Sequence, residues 1–405
     1  MAVAVMMAAA SWAGPVERSL RPQPRPAADG AGGDGVLAMS LRPTTRPATL
    51  ATSSRATPVR GDFARWLNGF RARARARGIR DDVLARAFAG VRYNDEVIGK
   101  AALRRHARTL RAIERRYGVD REIVVAIWGL ESAYGERRGQ RDVIESLATL
   151  AHDGRRGAFF EKQLLAALEI LQSGDVAPRD MTGSWAGAMG HTQFIPTSYQ
   201  AYAVDFDGDG RRDIWADDPA DALASTAAYL ARFGWTKGQP WGVEVRLPRG
   251  FDHALARRDT RRMPSDWAAM GVRGIDGRPV PDHGRASILL PAGAEGAAFM
   301  IFDNFKVIER YNKADAYVIG VGHLADRIAG GPPIQASWPR GYKPLSFAQR
   351  KDMQRRLRRK GFDVEKIDGI IGPNTVSAIR AYQVSRGMTP DGYASETLMR
   401  ALKGR

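Results

Sequence analysis

From Ile123 to Leu130 the chain reads IVVAIWGL, a run without a charged side chain. A surface helix carries an apolar stripe beside a polar one, whereas a helix apolar on every side has to be enclosed by other elements. The flanking residues define its ends: Asp120 is placed to cap the first turn, and Gly135 to close the last in a left-handed conformation. A chain containing GVDREIVVAIWGLESAYG therefore has to build a multi-helix core around this segment. Glu131 emerges in its last turn. Burial and the negative end of the helix dipole both disfavour an ionised carboxylate there. A carboxyl group that holds its proton near neutrality can donate it to a glycosidic oxygen. The helix alone leaves a second reading open, in which Glu131 bonds an arginine or a nearby backbone N–H.

Apolar residues recur at helical spacing around this segment. They include Phe63, Trp66, Leu67 and Phe70, then Val83, Leu84 and Phe88. The same spacing predicts helices over Ala101–Tyr117, Arg121–Tyr134, Val143–Ala151, Phe159–Ser173, Pro219–Arg232 and Ala314–Ile328. Val243–Leu247, Ser287–Leu290 and Ala297–Asp303 read as short strands. The expected fold is mainly α: a helical domain over 61–329 with a small inserted β-sheet, and a small three-helix C-terminal domain over 344–405. Gly330, Gly331, Pro332 and Pro333 open a linker over 330–343, and the Pro- and Arg-rich stretch 14–60 reads as a disordered linker. Residues 1–13 resemble the apolar part of a secretory signal, with Ser11 and Ala13 at −3 and −1 of a cut after Ala13, although the usual basic start is missing. Export to the periplasm is expected on that basis.

Sixty-two Lys and Arg residues against 44 Asp and Glu give a net charge of +18. That balance favours polyanions: nucleic acid, anionic lipid or carboxylate-bearing wall polymer. A bias spread over solvated faces explains it equally well, and the run Arg71–Arg77, with Arg at every second position, distributes charge over several helix faces. No cysteine is present, so disulfides, Cys nucleophiles and Cys-ligated zinc are excluded. No apolar run reaches the ~18 residues that span a bilayer. The six histidines form no H-E-x-x-H pair, and there is no G-x-S-x-G sequence. Gly320-Val321-Gly322-His323-Leu324-Ala325 matches a dinucleotide fingerprint only on paper, because it lies inside a helical pattern that leads into a Gly/Pro linker.

A second segment, Ser184 to Tyr199 (SWAGAMGHTQFIPTSY), mixes glycines with amide, hydroxyl and aromatic groups. Such a loop brings backbone close to a ligand and offers hydrogen bonds and stacking to sugar rings. The I-W-G-L-E-S-A-Y-G helix, Arg155-Arg156-x-x-Phe159-Phe160, the G-A-M-G-x-x-Q-F-x-P-x-S-Y loop and Arg310-Tyr311-Asn312 together resemble, in order, the lytic murein transglycosylase B family. The resemblance covers roughly Asp62 to Ile328. It implies a lysozyme-like domain that cleaves between N-acetylmuramic acid and N-acetylglucosamine, with the muramyl C6 hydroxyl completing the reaction to a 1,6-anhydro product. By the same resemblance Glu131 is acid and then base, and Ser184 and Gln193 contact sugar near the cleaved bond. Arg155 and Arg156 would meet lactyl or peptide carboxylates, while Tyr311, Asn312 and Tyr317 line the groove; Tyr199, which closes the loop, is counted among the substrate contacts. The chain departs from the pattern at His191-Thr192, where some members carry an aromatic residue and a glycine.

A conventional glycosidase needs two carboxylates flanking the bond. Glu136, Asp142 and Glu161 are ordinary candidates for a partner, and none is marked as clearly as Glu131, so a single acid/base is compatible with the sequence. Asp205, Asp207, Asp209 and Asp213, with Gly210 at the sixth position, reproduce the start of a calcium loop. Position 12 is Ala216, leaving Asp217, Asp218 or Asp221 to replace the usual glutamate; Asp221 completes the expected ligand set for a structural calcium. No cofactor is expected for the chemistry itself. Leu345–Leu402, with its Asp368-Gly369 and Asp391-Gly392 turns, resembles a small peptidoglycan-binding domain. The leading expectation is an exported, monomeric enzyme acting on peptidoglycan glycan strands, neither membrane-spanning nor bound to nucleic acid. A muramidase-type hydrolase, a silent wall-binding protein and a basic nucleic-acid binder are the alternatives.

Overall fold

The protein is described from a computed structural model, over residues 60–339 and 344–404. The signal-like residues 1–13, the linker up to 59 and positions 340–343 lie outside the described residues. The first helices are α1 (Arg60–Ala76), α2 (Asp81–Ala87), α3 (Asp95–Arg105), α4 (Ala107–Tyr117) and α5 (Arg121–Ser132). They are followed by β1 (Arg141–Asp142), α6 (Val143–Asp153), α7 (Gly157–Ser173), β2 (Thr182–Gly183), α8 (Pro196–Tyr202) and α9 (Ala220–Arg232). Next come β3 (Gly242–Arg246), α10 (Pro264–Ala269), β4 (Arg273–Gly274), β5 (Ser287–Leu289), β6 (Ala298–Ile301), α11 (Asp303–Tyr311) and α12 (Asp315–Ala329). The last three are α13 (Phe347–Arg359), α14 (Pro373–Ser385) and α15 (Glu396–Leu402). Mainly helical with small sheets, this is the expected architecture.

As its composition requires, α5 is the axis of the larger core: Ile123 through Trp128 are all 4% exposed or less. Helices α3, α4, α9 and α12 pack around it. Gly129 interrupts the apolar run because the Tyr134 ring folds back onto the helix, 2.6 Å from where a Cβ would sit. The sequence places one helix over Ala101–Tyr117, but the chain breaks at His106, which turns α3 into α4 and sets its ring edge-on to Trp128. Asp120 stands at the N-cap of α5 yet makes no capping bond. Its carboxylate instead accepts from Trp235 Nε1 (2.8 Å) and Gly238 N (3.3 Å), a long-range anchor that local pattern does not reveal.

The inserted sheet is antiparallel with order β4-β3-β6-β5. Residues of β6 alternate between two cores, because side chains of a strand point to opposite faces. Phe299 and Ile301 join the α5 core, while Ala298 and Met300 join a second cluster with Trp267, Phe251 and Val272. No residue separates the turn after β6 from α11, since Phe302 is already its N-cap.

Helices α13 to α15 enclose a separate core around Met353, Leu357, Ile379 and Leu398. Two buried glutamines close its Asp-Gly turns in the same way. Gln354 accepts from Gly369 N (2.7 Å) and donates to Asp368 Oδ1 (3.1 Å); Gln383 accepts from Gly392 N (2.8 Å) and donates to Asp391 Oδ1 (2.7 Å). The domain touches the larger one directly. Asp391 Oδ2 accepts from Ala294 N (2.9 Å), and Arg380 donates to the Ala256 carbonyl (2.9 Å).

Candidate active site

The end of α5 is unusual. Ala133 (φ 51°), Tyr134 (φ 59°) and Gly135 (φ 88°) are all left-handed, so the chain leaves the helix in a tight turn immediately after Glu131 and Ser132. A side chain at Gly135 would lie 2.5 Å from the His191 ring, so glycine is required there for contact as well as conformation. Glu131 retains partial exposure, and Tyr317, in the first turns of α12, donates its hydroxyl to Oε1 at 2.6 Å. Desolvation raises the Glu131 pKa to about 7, with the Tyr317 bond opposing that rise. A second tyrosine, Tyr311, is buried near enough that the Glu131 charge lifts its pKa further above the usual phenol range, after burial itself. Tyr311 donates to Thr192 O (2.8 Å), which ties the end of α11 to the Gly-rich loop. Asn312 caps α11, accepts from Ala314 N (3.0 Å) and turns the chain toward Tyr317. Arg258 holds this corner from outside, pairing with Glu309 (2.7 Å) and Asp315.

The loop Ser184–Tyr199 is organised by its own small groups. Ser184 Oγ accepts from Ala188 N (3.0 Å) and Ala186 N (3.4 Å), so its hydrogen is available to a ligand. Gln193 adopts φ 57° and donates both amide hydrogens to protein, to Arg138 O (3.0 Å) and Gly190 O (2.9 Å). No hydrogen of that nitrogen is left for a sugar. Tyr199 has no exposed surface; its hydroxyl donates to Arg212 O (2.6 Å), making it a core strut beneath the acidic loop. Trp185, 43% exposed at the tip of the Ser184 turn, is an aromatic surface that the sequence pattern had left among the loop residues without a role.

Arg155 and Arg156 lie exposed in the turn before α7, the latter with φ 111° and its guanidinium 4.6 Å over Phe159. Among the described residues no hydrogen bond joins either to Glu131. The three alternative carboxylates are equally separate: Asp142 caps α6 through Glu145 N (2.8 Å), while Glu136 and Glu161 are exposed. None bonds Glu131 or Tyr317.

In the acidic loop, oxygens of Asp205, Asp207 and Asp209 lie within 4.8 Å of one another. Asp221, from the first turn of α9, accepts from Phe206 N (2.8 Å) and Asp213 N (3.1 Å), closing the loop from behind. Of the three substitutes for the missing glutamate, Asp221 is thus the one attached to the loop; Asp218 caps Ala220 N (3.1 Å), and Asp217 lies 3.4 Å from Arg138. Burial, followed by the charges of Asp221, Asp209 and Asp207, raises Asp213 to about 6. Convergent carboxylates whose mutual repulsion raises a pKa fit a hard cation.

Residues 98–326 match the family described as the transglycosylase SLT domain, and residues 348–402 match a peptidoglycan binding domain. The chain is 36% identical over 220 residues to the membrane-bound lytic murein transglycosylase B of Escherichia coli (strain K12), covering 53% of this chain. It spans 58% of the length of that relative. It is similar to SltB3 from Pseudomonas aeruginosa, solved in complex with NAG-anhNAM-pentapeptide (48% identity, TM-score 0.75, 84% of this chain and 99% of that one). It is also similar to the Escherichia coli lytic transglycosylase Slt35 in complex with calcium (29% identity, TM-score 0.50, 68% and 84% of the two chains).

Proposed function

Because the chain belongs to the transglycosylase SLT family, we propose that it cleaves peptidoglycan glycan strands as a lytic transglycosylase, with Glu131 as its single acid and base. The observation that carries this reading is the Glu131–Tyr317 pair: a carboxyl whose pKa is about 7, with one oxygen held at 2.6 Å. Tyr317 occupies Oε1, which leaves the proton on Oε2 facing the glycosidic oxygen. Proton transfer to that oxygen breaks the bond from muramyl C1. The resulting carboxylate keeps the Tyr317 hydrogen bond, which is worth more to the charged form than to the acid. It then takes the proton of the muramyl C6 hydroxyl as O6 bonds to C1, restoring the acid and giving a 1,6-anhydro end. The ligand in the SltB3 complex carries an anhNAM unit, which supports this product.

Ser184 donates to sugar from its turn, and Trp185 offers a ring for stacking. Arg155 and Arg156, exposed before α7, meet the lactyl or peptide carboxylates of the strand in this reading. Asp205, Asp207, Asp209, Asp213 and Asp221 hold or support a calcium ion whose role is structural, and the chemistry needs no cofactor. Residues 344–404 bind wall polymer, and the protein acts after export to the periplasm. Digestion of murein sacculi with the purified protein, followed by mass spectrometry, tests the central statement. Anhydromuropeptides are expected; ordinary reducing ends would make the protein a muramidase.

A further inference from the structure

His191 has a place in this site that no resemblance assigns to it. It is 3% exposed, and both ring nitrogens are engaged. Trp128 Nε1–H, on α5 one turn before Glu131, donates to Nδ1 at 3.1 Å. Nδ1 is therefore the acceptor, the proton resides on Nε2, and Nε2 donates to the Ala216 carbonyl at 2.7 Å. Arg138 Nη1, 3.2 Å from Nε2, does not bond it, since both are donors; it shares the Ala216 carbonyl at 3.0 Å and also reaches Trp215 O (2.6 Å). Burial, with Arg138 and His106 adding to it against the Ala216 bond and Asp217, pulls the imidazole down to about 4, so it stays neutral at working pH.

The backbone of the same residue grips the helix end. The His191 carbonyl accepts from Ser132 Oγ at 2.5 Å, and Ser132 Oγ in turn accepts from Gly135 N at 2.9 Å. His191 N donates to Ile214 O (3.1 Å). One residue thus links the last turn of α5, the left-handed exit and the segment 214–216 behind the acidic loop. Because the next residue, Thr192, bonds Tyr311, the link continues to the end of α11, the helix that precedes the one carrying Tyr317.

We infer that His191 is a positioning residue: held between Trp128 and Ala216, it fixes the C-terminal turn of α5 and so sets the depth at which the Glu131 carboxyl sits. This inference deepens the proposed function and rests on it for its kinetic consequence. The groups facing Glu131 itself are Tyr317 and Tyr311, and no arginine or lysine perturbs its titration. The depth of burial therefore controls its protonation.

Three variants separate the links. His191→Asn keeps an acceptor toward Trp128, His191→Gln keeps a donor toward Ala216, and His191→Phe fills the space with neither. The readouts are kcat and KM on a soluble glycan strand, the pH profile of kcat, and the Glu131 titration by NMR on glutamate-labelled protein, assigned with Glu131→Gln. His191→Phe is expected to fold, to lower kcat by up to about 100-fold with KM little changed, and to move the Glu131 titration down toward the ordinary carboxylate range. His191→Asn or His191→Gln should recover part of both effects. A folded His191→Phe with an unchanged Glu131 titration overturns the inference. If the titration moves but wild type yields no anhydromuropeptides, the positioning stands and the proposed function fails. Should His191→Phe not fold, the Asn and Gln variants decide: wild-type titration and kcat in both would also overturn it.

Discussion

Tyr317 donates to Oε1 of Glu131 at 2.6 Å, although 186 residues separate them in the chain. The bond opposes the desolvation that raises Glu131 to about 7. Replacing Tyr317 by Phe removes the opposing influence, so the Glu131 pKa should rise and the alkaline limb of the kcat profile should move to higher pH. The carboxylate formed after bond cleavage also loses its donor. A hydrogen bond to a charged group is worth about 1.5–3 kcal/mol, which is about 10- to 150-fold in rate. A pH–rate profile of Tyr317→Phe checks both statements, and a limb that moved down would contradict the assignment.

Glu131→Gln should abolish release of soluble muropeptides, with a loss of at least ~10²–10⁴-fold for removing the general acid. Stability should move the other way. The folded pKa of Glu131 lies above its unfolded value, so its stabilising effect is full below about pH 4.5 and is lost as pH rises through about 7. Relative to wild type, the Glu131→Gln protein should therefore gain Tm between pH 5 and pH 8. Thermal denaturation at those two pH values reads the difference.

Calcium should raise the Tm of the wild-type protein and lower the Asp213 pKa from about 6. Asp207→Asn should shrink the calcium-induced rise while leaving the metal-free Tm nearly unchanged, since Asp207 is exposed. Asp221→Ala acts differently. It strands the half-buried Phe206 and Asp213 N–H groups, costing about 1–3 kcal/mol with or without calcium. A calcium titration followed by differential scanning calorimetry distinguishes the two, and equal behaviour of both variants would remove Asp221 from its bracing role.

Trp185→Ala should raise KM on glycan strands several-fold while Tm changes little, because an exposed residue of this kind is worth within about ±0.5 kcal/mol to folding. An unchanged KM would take Trp185 out of the groove.

The sequence disclosed the parts of this molecule that local pattern controls. The apolar run Ile123–Leu130 announced a central helix, and the C-terminal unit forms the three helices expected of it. Helix α11 was missed because β6 runs into it through a single capping residue, so one apolar stretch serves two periods. Long-range contacts were illegible in a different way. Nothing adjacent to Asp120 indicates that Trp235 takes its carboxylate, and nothing near Gln193 shows that Arg138 takes its amide hydrogen. The paper dinucleotide fingerprint finds its explanation here too: a Cβ on Gly322 would lie 2.3 Å from the Trp241 ring, so that glycine is a packing requirement of α12.

Asp391 spends one oxygen closing its own domain's turn with Gln383 and the other on the backbone of Ala294 in the neighbouring domain. A carboxylate divided in this way couples docking to folding. Separation of the domains would withdraw a partner from the turn that Gln383 clamps, and melting of that turn would withdraw the contact that docks it. Docking and the integrity of the Gln383 turn are thus tied to a single carboxylate, so loss of either hydrogen bond is expected to weaken the other.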